Sequence, residues 1–285
     1  MSEQTGLSGT PGKMAEQEQG ASAAGSPAIR TPFLELRGIS KSFAQGRQQL
    51  QVMENISLTV HEGEFVSVIG PSGSGKSTLL QMIGGVMLPD QGDIMLQGQR
   101  INGLKGKAGY MPQQPALLPW RTIEKNVILA RETAGLPRQE SLALARTWLD
   151  KVGLGEFARA YPHTLSGGMQ QRVAFLRALL GPQSLLCLDE PFSALDAFTR
   201  SEMQSWLLRI WEENRRSVVF ITHHIEEALL LSDTIYVLSS RPAHVMQKVS
   251  VPFPRPRREE LADTPEFIAL RRQLTEALRA ELNVR

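Results

Sequence analysis

The feature that most constrains this chain is a glycine-rich segment at residues 70–77, which reads Gly-Pro-Ser-Gly-Ser-Gly-Lys-Ser. It stands between Phe65–Ile69, an apolar run typical of a buried parallel strand, and Lys76–Ile83, a run that reads as a helix. Glycine lets the backbone turn successive N–H groups towards one point, and the positive end of the following helix is directed at the same point. The segment therefore predicts a strand, a phosphate-binding loop and a helix, in that order.

The residues of this loop predict a site for a nucleoside triphosphate. The ammonium group of Lys76 can reach the β- and γ-phosphate oxygens, and the hydroxyl of Ser77 can supply one ligand to Mg²⁺. The alternative is a merely flexible glycine turn, which is disfavoured because four fixed positions arise by chance in about one chain of this length in a hundred. The predicted nucleotide contacts are Gly70, Pro71, Ser72, Gly73, Ser74, Gly75, Lys76, Ser77 and Thr78.

Composition limits the class of protein without choosing it. The 285 residues are enough for one large α/β domain or two smaller ones. The 31 lysines and arginines nearly balance the 29 acidic residues, so the net charge of +2 gives no broad electrostatic case for nucleic acid or an anionic membrane. Cys187 is the only cysteine, which excludes an intrachain disulfide and suits the reducing cytosol. No apolar stretch approaches the ~20 residues that span a bilayer.

The sequence patterns divide the chain into three parts. Residues 1–31 are rich in Gly, Ser, Ala and Gln and are predicted to be a disordered tail. Residues 32–250 form the main domain, and residues 251–285 are a Pro/Arg-rich segment followed by a helix that starts near Pro265. That helix carries an apolar stripe that is expected to serve packing rather than a partner, formed by Leu270, Leu274, Leu278 and Leu282.

Within the main domain, strand-like and helical patterns alternate. Residues 33–69 are expected to hold short strands separated by turns, and another short strand is expected at residues 93–97. Between residues 123 and 180 the periodicity is helical, which predicts an inserted helical subdomain at about residues 115–180. Three later apolar runs have the length of buried strands and, with the intervening helices, predict a twisted sheet; they are residues 185–188, 218–222 and 235–238.

A second glycine-containing motif stands at a predicted helix start. Residues 165–172 read Leu-Ser-Gly-Gly-Met-Gln-Gln-Arg, and the helix that follows is stopped at Gly181 and Pro182. A serine and two glycines at a helix start can hold an anion. The alternative is an ordinary capped helix, which would account for Ser166 alone.

Two carboxylates follow the first of the late strands. Asp189 and Glu190 come directly after the apolar residues 185–188. Burying two adjacent acids stabilises no fold, so they indicate a chemical task. Asp189 is expected to hold Mg²⁺, and Glu190 to polarise an attacking water as general base.

Taken together, these motifs resemble those of the ATP-binding cassette (ABC) family, whose signature is the Leu-Ser-Gly-Gly-x-Gln of residues 165–170. The resemblance covers roughly residues 33–250, with every expected motif in order. It implies an α/β fold: a RecA-like P-loop NTPase core, an antiparallel β subdomain and the inserted helical subdomain. It also implies ATP and Mg²⁺ as cofactors.

The resemblance assigns further site residues. Phe43 matches the aromatic residue that stacks on adenine, although a core phenylalanine is the alternative. Gln113 matches the glutamine that senses the γ-phosphate and Mg²⁺, with Gln114 as a one-residue ambiguity. His223 matches the switch histidine that contacts the γ-phosphate, and Asp196 matches the aspartate that communicates between two subunits. His224 stands where the family often has Asp.

The family also implies an assembly. One signature motif cannot reach the phosphate loop of its own subunit, so two copies, most simply a homodimer, would sandwich two ATP molecules head to tail. Ser166, Gly167 and Gly168 of one copy would then face the γ-phosphate held by Lys76 of the other. The expected partners are a transmembrane permease and, indirectly, a substrate-binding protein, with no nucleic acid. The expected location is the cytoplasmic side of the cell membrane.

A finer resemblance concerns the branch of the family. Residues 117–121, Leu-Leu-Pro-Trp-Arg, resemble the ATPase subunits of nitrate, sulfonate, taurine and bicarbonate importers, as do Arg241-Pro242-Ala243 and residues 251–258. Exposed apolar residues at 117–121 suggest a docking groove for the permease, whereas the alternative is that Leu118 and Trp120 only fill the helical subdomain. The open alternatives for function are the ATPase of another ABC transporter, such as a lipid or peptide exporter, and a soluble ABC ATPase of DNA repair or translation. The latter is disfavoured because the chain has one cassette and no heptad insertion.

Overall fold

Two β-sheets and a set of helices make up residues 31–193 and 195–283, which the computed structural model describes. Apart from Thr31, the tail predicted at residues 1–31 lies outside the described residues. The strands are β1 (Leu34–Gln45), β2 (Gln48–Val60), β3 (Phe65–Ile69), β4 (Gln91–Leu96), β5 (Gln99–Arg100), β6 (Ala108–Met111), β7 (Leu185–Asp189), β8 (Ser217–Ile221), β9 (Thr234–Leu238) and β10 (Val245–Ser250). The α-helices are α1 (Lys76–Ile83), α2 (Ile123–Val127), α3 (Leu129–Thr133), α4 (Arg138–Lys151), α5 (Gly167–Leu179), α6 (Ala197–Asn214), α7 (Ile225–Leu231) and α8 (Pro265–Asn283).

The larger sheet positions the functional loops. Its strand order is β10-β9-β3-β8-β7-β6, with β10 antiparallel to β9 and the other neighbours parallel. Every residue of β3, β7, β8 and β9 is buried, as expected for parallel strands covered on both faces. The strands predicted at residues 185–188, 218–222 and 235–238 are confirmed within one residue. Because parallel strands end at the same edge of a sheet, the segments after β3, β7 and β8 meet there.

The smaller sheet is antiparallel, in the order β2-β1-β4-β5. The expectation of short strands at residues 33–69 is wrong for β1 and β2, which are 12 and 13 residues long. Their pairing continues through register shifts between Leu36 and Ile39 and between Ile39 and Lys41. Gly38 lies in the first shift and Asn55 opposite the second, with left-handed φ values of 60° and 52°, so residues that read as turns form irregularities within one hairpin.

The segment of helical periodicity is helical in the structure. Helices α2 to α5 occupy residues 123–179, joined by short 3₁₀ turns at Gly155–Phe157 and Pro162–Thr164. Their buried side chains, among them Ile123 and Phe175, belong to the same apolar cluster as Phe65 of β3 and Phe220 of β8. The apolar core is therefore continuous between the helices and the sheet, and the division of the chain into subdomains stays a prediction.

The C-terminal helix packs on the helix that follows β8. Phe267 and Leu274 of α8 are fully buried in one cluster with Ala228 and Leu229 of α7, and Leu270 and Leu278 pack against that cluster. The predicted packing stripe is confirmed for these leucines, and the side chain of Leu282 lies outside the described part of the chain.

The Pro/Arg-rich segment before α8 is held by two arginines. The side chain of Arg257 is 2% exposed, and its Nη1 donates to the carbonyl oxygens of Leu229 and Ser232, at 3.1 and 2.5 Å. Burial lowers the pKa of Arg257 to about 10. Arg255 donates to Asp233 Oδ1 at 2.8 Å and lies 4.1 Å from the ring centre of Trp211. The segment thus braces the end of α7 against α6.

Candidate nucleotide site

A cleft of about 540 Å³ opens at the carboxyl edge of the larger sheet. The phosphate loop after β3 forms its floor, the β1–β2 hairpin forms one wall, and the segments after β6 and β7 form another. Phe43 and most of the predicted loop residues 70–78 line this cleft, whereas Gly70, Pro71 and Ser74 are not part of its lining. Its lining is Phe43, Leu50, Val52, Ser72, Gly73, Gly75, Lys76, Ser77, Thr78, Gln113, Glu190 and Arg241.

The glycines of the loop are required by its shape. Gly73 and Gly75 have φ values of 79° and 91°, which side chains rarely tolerate. A Cβ atom at Gly75 would lie 2.6 Å from Val52 Cγ1, and one at Gly70 would lie 2.9 Å from the carbonyl oxygen of Leu238. Helix α1 begins directly after Gly75, so its free N–H groups face the cleft. The loop has the form of an anion cradle.

Lys76 supplies the positive charge of the cradle. It is only 6% exposed, and its Nζ donates to the carbonyl oxygens of Gly70 and Pro71, both at 2.9 Å. Burial lowers the pKa of Lys76, while Glu190 and Asp189 act in the opposite direction. The side-chain oxygen of Ser74 is buried and has no hydrogen-bond partner among the described residues.

Two oxygen atoms that suit a divalent cation meet beside the lysine. Ser77 Oγ donates to Asp189 Oδ1 at 3.0 Å. Burial is the largest influence on Asp189 and raises its pKa, while the hydrogen bonds from Ser77 and Tyr110 act to lower it. A hydroxyl and a carboxylate are ligands that Mg²⁺ accepts, so this pair fits that ion. Sequence reasoning missed Tyr110, which reaches Asp189 only because β6 pairs with β7.

Two predicted residues, Gln113 and His223, converge on one carboxylate oxygen of a third, Glu190. Gln113 Nε2 donates to Glu190 Oε2 at 3.2 Å, and His223 Nδ1 lies 3.2 Å from the same oxygen. This geometry supports Gln113, rather than Gln114, as the functional glutamine. Glu190 adopts a left-handed backbone conformation, φ 43°, which is strained for a non-glycine residue and is typical of functional sites.

A buried network lies next to His223 in the chain and was missed by sequence reasoning. Thr222 Oγ1 donates to Glu227 Oε2 at 2.5 Å and accepts a hydrogen bond from the backbone N–H of His224 at 3.0 Å. Gln204 of α6 donates to the other oxygen of Glu227 at 3.1 Å. Burial raises the pKa of Glu227. The network fixes the backbone that carries His223, and the ring of His224 lies 4.0 Å from that of His223.

Ser166 and Asp196 begin helices and do not line the cleft. Ser166 Oγ accepts a hydrogen bond from the backbone N–H of Met169, which caps α5, and Gly167 is exposed with open space around it. Asp196 is exposed and caps α6 by accepting from the N–H and hydroxyl of Thr199 at 3.0 and 2.7 Å. Gly168 also lies outside the cleft lining. The structure therefore does not bring Ser166, Gly167, Gly168 and Asp196 into the lining of the cleft that the phosphate loop of the same chain forms.

Helix α5 nevertheless touches the wall of the cleft. Gln171 Nε2 donates to the backbone carbonyl of Gln113 at 3.2 Å, and its side chain is buried. The signature helix and the residue that contacts Glu190 are thus linked by one hydrogen bond.

The segment after Gln113 is an exposed, firmly held loop. The buried amide of Asn126 accepts from the N–H of Leu118 at 2.7 Å and donates to the carbonyl oxygens of Arg121 and Thr122 at 3.0 and 3.1 Å. Trp120 is 72% exposed, so the alternative that Trp120 fills the helical region is wrong. Leu117 does pack against the helical core. No helix in the described ranges 31–193 and 195–283 is long and apolar enough to cross a membrane.

The strand, glycine loop and helix, with the buried lysine and the strand-end acids, define a nucleoside-triphosphatase of the phosphate-loop class. A model of the family described as ABC transporter matches residues 53–193. The chain is 40% identical over 249 residues to an uncharacterized ABC transporter ATP-binding protein of Methanocaldococcus jannaschii, covering 87% of this chain and 92% of the relative. This chain therefore belongs to the ABC transporter family, as an ATP-binding ATPase subunit.

Other similar proteins carry more specific names. The chain is 41% identical over 231 residues to the aliphatic sulfonates import ATP-binding protein SsuB of Bacillus cereus, covering 80% of this chain and 90% of the relative. It is 46% identical over 201 residues to the formylaminopyrimidine import ATP-binding protein ThiZ of Halalkalibacterium halodurans, covering 70% of this chain and 78% of the relative. Among solved structures, a dimeric post-hydrolysis ATP-binding cassette bound to ADP and Pi matches with a TM-score of 0.69 and 31% identity, covering 78% of this chain and all of that one.

Proposed function

We propose that this chain is the ATPase subunit of an importer for a small oxyanion of the aliphatic sulfonate, taurine or nitrate type. The convergence of Gln113 and His223 on Glu190, opposite the phosphate loop, supports the hydrolytic part of the proposal most directly. The import direction and the cargo class rest on the names of relatives and on the resemblance of residues 117–121.

ATP would lie in the cleft with its phosphates on the loop. Backbone N–H groups of the loop and the ammonium of Lys76 would bind the β- and γ-phosphates, and Phe43 would stack on adenine. The side chains that would hold Mg²⁺ are those of Ser77, Asp189 and Gln113. Mg²⁺ neutralises charge on the phosphate oxygens when it is bound.

Glu190 would act as general base in hydrolysis. Its Oε2 would accept a proton from the attacking water, and Gln113 and His223 would hold the carboxylate in place. His223, exposed at the cleft edge, would also contact the γ-phosphate. Because the left-handed backbone of Glu190 fixes the direction of its side chain, the base is positioned before the nucleotide arrives.

A second copy of the chain would complete the site. Ser166, Gly167 and Gly168 lie outside the cleft of their own chain, and the signature helix has its N-terminus exposed. In a head-to-tail dimer these residues and Asp196 would face the γ-phosphate bound by the other copy. The dimeric state of the cassette structure that this chain resembles supports the presence of a second copy.

ATP-driven closing and opening of this dimer would move a permease at the cytoplasmic side of the membrane. The held loop at residues 117–121, with Trp120 exposed, has the character of a docking surface for the permease. A substrate-binding protein would deliver the cargo on the far side. The first alternative, a lipid or peptide exporter, is not supported by the importer names of the relatives.

A second candidate cargo is a formylaminopyrimidine, which the similarity to ThiZ favours. The experiment that separates the candidates is growth of a strain lacking this gene on single sulfur and nitrogen sources and on formylaminopyrimidine as a thiamine precursor. The strain is complemented with the wild-type gene or with Lys76→Ala. A defect on sulfonate, taurine or nitrate that only the wild type rescues supports the oxyanion proposal. A defect confined to the pyrimidine supports the second candidate, and normal growth on every source contradicts both.

A further inference from the structure

The turn between β9 and β10, residues 239–244, reaches the nucleotide cleft and has no role in the proposed function. It begins at the carboxyl end of β9, and β9 is the parallel neighbour of β3, which leads into the phosphate loop. The turn therefore arrives beside the phosphate loop from the adjacent strand. Its second and third residues past the strand are Ser240 and Arg241.

The guanidinium of Arg241 lies directly over the loop. A Cβ atom at Gly73 would be 3.3 Å from Arg241 Nη2 and 3.6 Å from Cζ, so glycine at this position leaves room for the arginine. Arg241 lines the cleft together with Lys76 and Phe43. Arg241 and Leu50 also line a neighbouring cleft beside the β1–β2 hairpin, and Glu190 is not part of the lining of that second cleft. Arg241 thus stands on the hairpin side of the phosphate loop.

The turn that carries Arg241 is held from several directions. Ser239 Oγ accepts from the N–H of His244 at 2.9 Å. The N–H of Ala243 donates to the carbonyl oxygen of Val52 in β2 at 2.9 Å. The N–H of Ser240 donates to Glu281 of α8 at 3.0 Å. These bonds fix the backbone on both sides of Arg241, so that little freedom of the turn has to be lost when a ligand binds.

The chemistry of this position suits a phosphate. A guanidinium presents several N–H donors in a plane that matches phosphate oxygens, and it stays charged at any physiological pH. Glu190 lines the cleft and the buried Asp189 lies behind it, bonded to Ser77, and both carboxylates oppose the binding of an anion. A second cation beside Lys76 would offset that repulsion.

We propose that Arg241 is a second phosphate-binding cation of this cleft, which contacts the phosphates of ATP and ADP from the side of the β1–β2 hairpin. The inference rests on the proposed placement of ATP in the cleft. Because Arg241, unlike Glu190, also lines the neighbouring cleft beside the β1–β2 hairpin, we expect its contact to be made to phosphates that ADP retains. Arg241 would therefore strengthen binding of both nucleotides alike, whereas the hydrolytic residues distinguish them.

The test is isothermal titration calorimetry of the full-length chain with ATP and with ADP, in EDTA so that no hydrolysis occurs. We expect Arg241→Ala and Arg241→Gln each to weaken the binding of both nucleotides by about tenfold or more. A loss of this size corresponds to one charge-assisted hydrogen bond. Arg241→Lys keeps the charge and should recover part of the affinity. Arg100→Ala is the matched control, since it removes the same charge from an exposed side chain on β5.

The outcomes separate this inference from the proposed function. If Lys76→Ala binds ATP as tightly as the wild type, the cleft is not the nucleotide site and the proposed function fails. If Lys76→Ala binds ATP less tightly but Arg241→Ala and Arg241→Gln bind both nucleotides like the wild type, only the inference about Arg241 is overturned. The inference is also overturned if Arg100→Ala weakens nucleotide binding as much as Arg241→Ala does. A third contradicting outcome is that Arg241→Gln keeps full affinity while Arg241→Ala does not, because the role of Arg241 would then be packing. Thermal unfolding of each variant verifies that it is folded, and Arg241→Gln keeps the packing of the side-chain stem.

Discussion

The phosphate loop and the start of the signature helix are both glycine-containing helix N-termini, yet they stand in opposite situations. The phosphate loop is enclosed: Lys76 is buried, and Val52 and Leu238 leave no space for a side chain at Gly75 or Gly70. The signature start is open at Gly167, because a Cβ atom there meets no described residue within 4 Å. At the phosphate loop glycine is required by the chain's own packing, whereas at Gly167 no residue in the described ranges 31–193 and 195–283 requires it.

The comparison shows whether glycine at each position is required by contacts within the chain or by contacts outside it. Enclosure at the phosphate loop means that a single chain already has the shape needed to bind a nucleotide. Openness at Gly167 suggests that the need for glycine there comes from outside the chain, which in our proposal is the nucleotide bound by a second copy, whereas at Gly168 a Cβ atom would already lie 3.2 Å from Thr199 Cγ2. The two regions should therefore respond differently to mutation: changes at the first alter binding by one chain, and changes at the second alter only what two chains do together.

The largest effect is expected from Glu190→Gln, which removes the general base while leaving the cradle intact. Hydrolysis should fall by about 10²–10⁴-fold, the usual contribution of a positioned base. ATP should still bind, so that the two copies stay closed and gel filtration with Mg-ATP shows a doubled mass. A variant that binds ATP but remains monomeric would contradict the dimer.

Gly167→Asp tests the open region. An acidic residue in the first turn of α5 interacts favourably with the helix dipole and meets no neighbour, so the unfolding temperature and the ATP affinity of the single chain should not fall. Across the dimer, however, the new carboxylate would repel the γ-phosphate, and hydrolysis should drop by about a hundredfold, corresponding to ~2.7 kcal/mol.

The measurements for Gly167→Asp are thermal unfolding, calorimetry with ATP in EDTA, and steady-state hydrolysis with Mg²⁺. Gly135→Asp is a control at another glycine with open space, although its φ of 72° makes that substitution strained. Full hydrolytic activity in Gly167→Asp would show that the signature start does not face a phosphate.

Phe43→Ala tests the wall of the enclosed region. Phe43 lines the cleft and also packs against the apolar cluster of the smaller sheet, so its contact with adenine stays a prediction beside its packing role. Loss of stacking on adenine should make the free energy of ATP binding less favourable by roughly 1–3 kcal/mol. Phe43→Trp should retain most of the affinity. If calorimetry finds Phe43→Ala and the wild type equal in ATP affinity, the residue serves the core alone.

The smallest effect is expected from Glu227→Gln and concerns the pH dependence of stability. Glu227 is bonded to Thr222, next to His223 in the chain. Burial raises the pKa of Glu227 in the folded chain, so the folded state holds this proton more tightly than the unfolded state does. The resulting stabilisation is complete below the unfolded pKa of about 4.3 and is lost as the pH rises through the folded pKa. The wild type should therefore lose stability relative to Glu227→Gln as the pH rises through that window.

Unfolding temperatures of both proteins between about pH 4 and 7 measure this difference, which should amount to a few degrees at most. A difference between the two curves that does not change with pH would mean that Glu227 carries no raised pKa.

The parts of the fold that are set by neighbours in the chain could be predicted from the sequence. Helix α1 has the predicted bounds, because a glycine loop must precede Lys76 and Gly84 follows Ile83. Strand β3 also has its predicted bounds, since four of its five residues are apolar and all five are buried. Strand β6 was not predicted: Gly109 interrupts its pattern, yet glycine is needed there because Leu186 Cδ2 would lie 2.9 Å from a Cβ atom.

The site could be predicted as far as its motifs reached. Placement of Lys76, Gln113 and Glu190 around one cleft follows from their order along parallel strands. Tyr110, Glu227 and Arg241 could not be predicted, because their contacts depend on which strands and helices become neighbours in space. A buried carboxylate such as Glu227 looks in the sequence like any acid in the first turn of a helix.

The loop that presents Trp120 has a further consequence, which concerns its evolution. Its path is set by hydrogen bonds between backbone atoms and Asn126, and by Arg177, which donates to the carbonyl oxygens of Pro115 and Ala116 at 2.6 and 2.8 Å. None of these bonds uses the side chain of Trp120. The residues that a partner would meet can therefore be exchanged by mutation without changing the shape of the loop, so recognition can diversify while the ATPase that lies behind it stays the same.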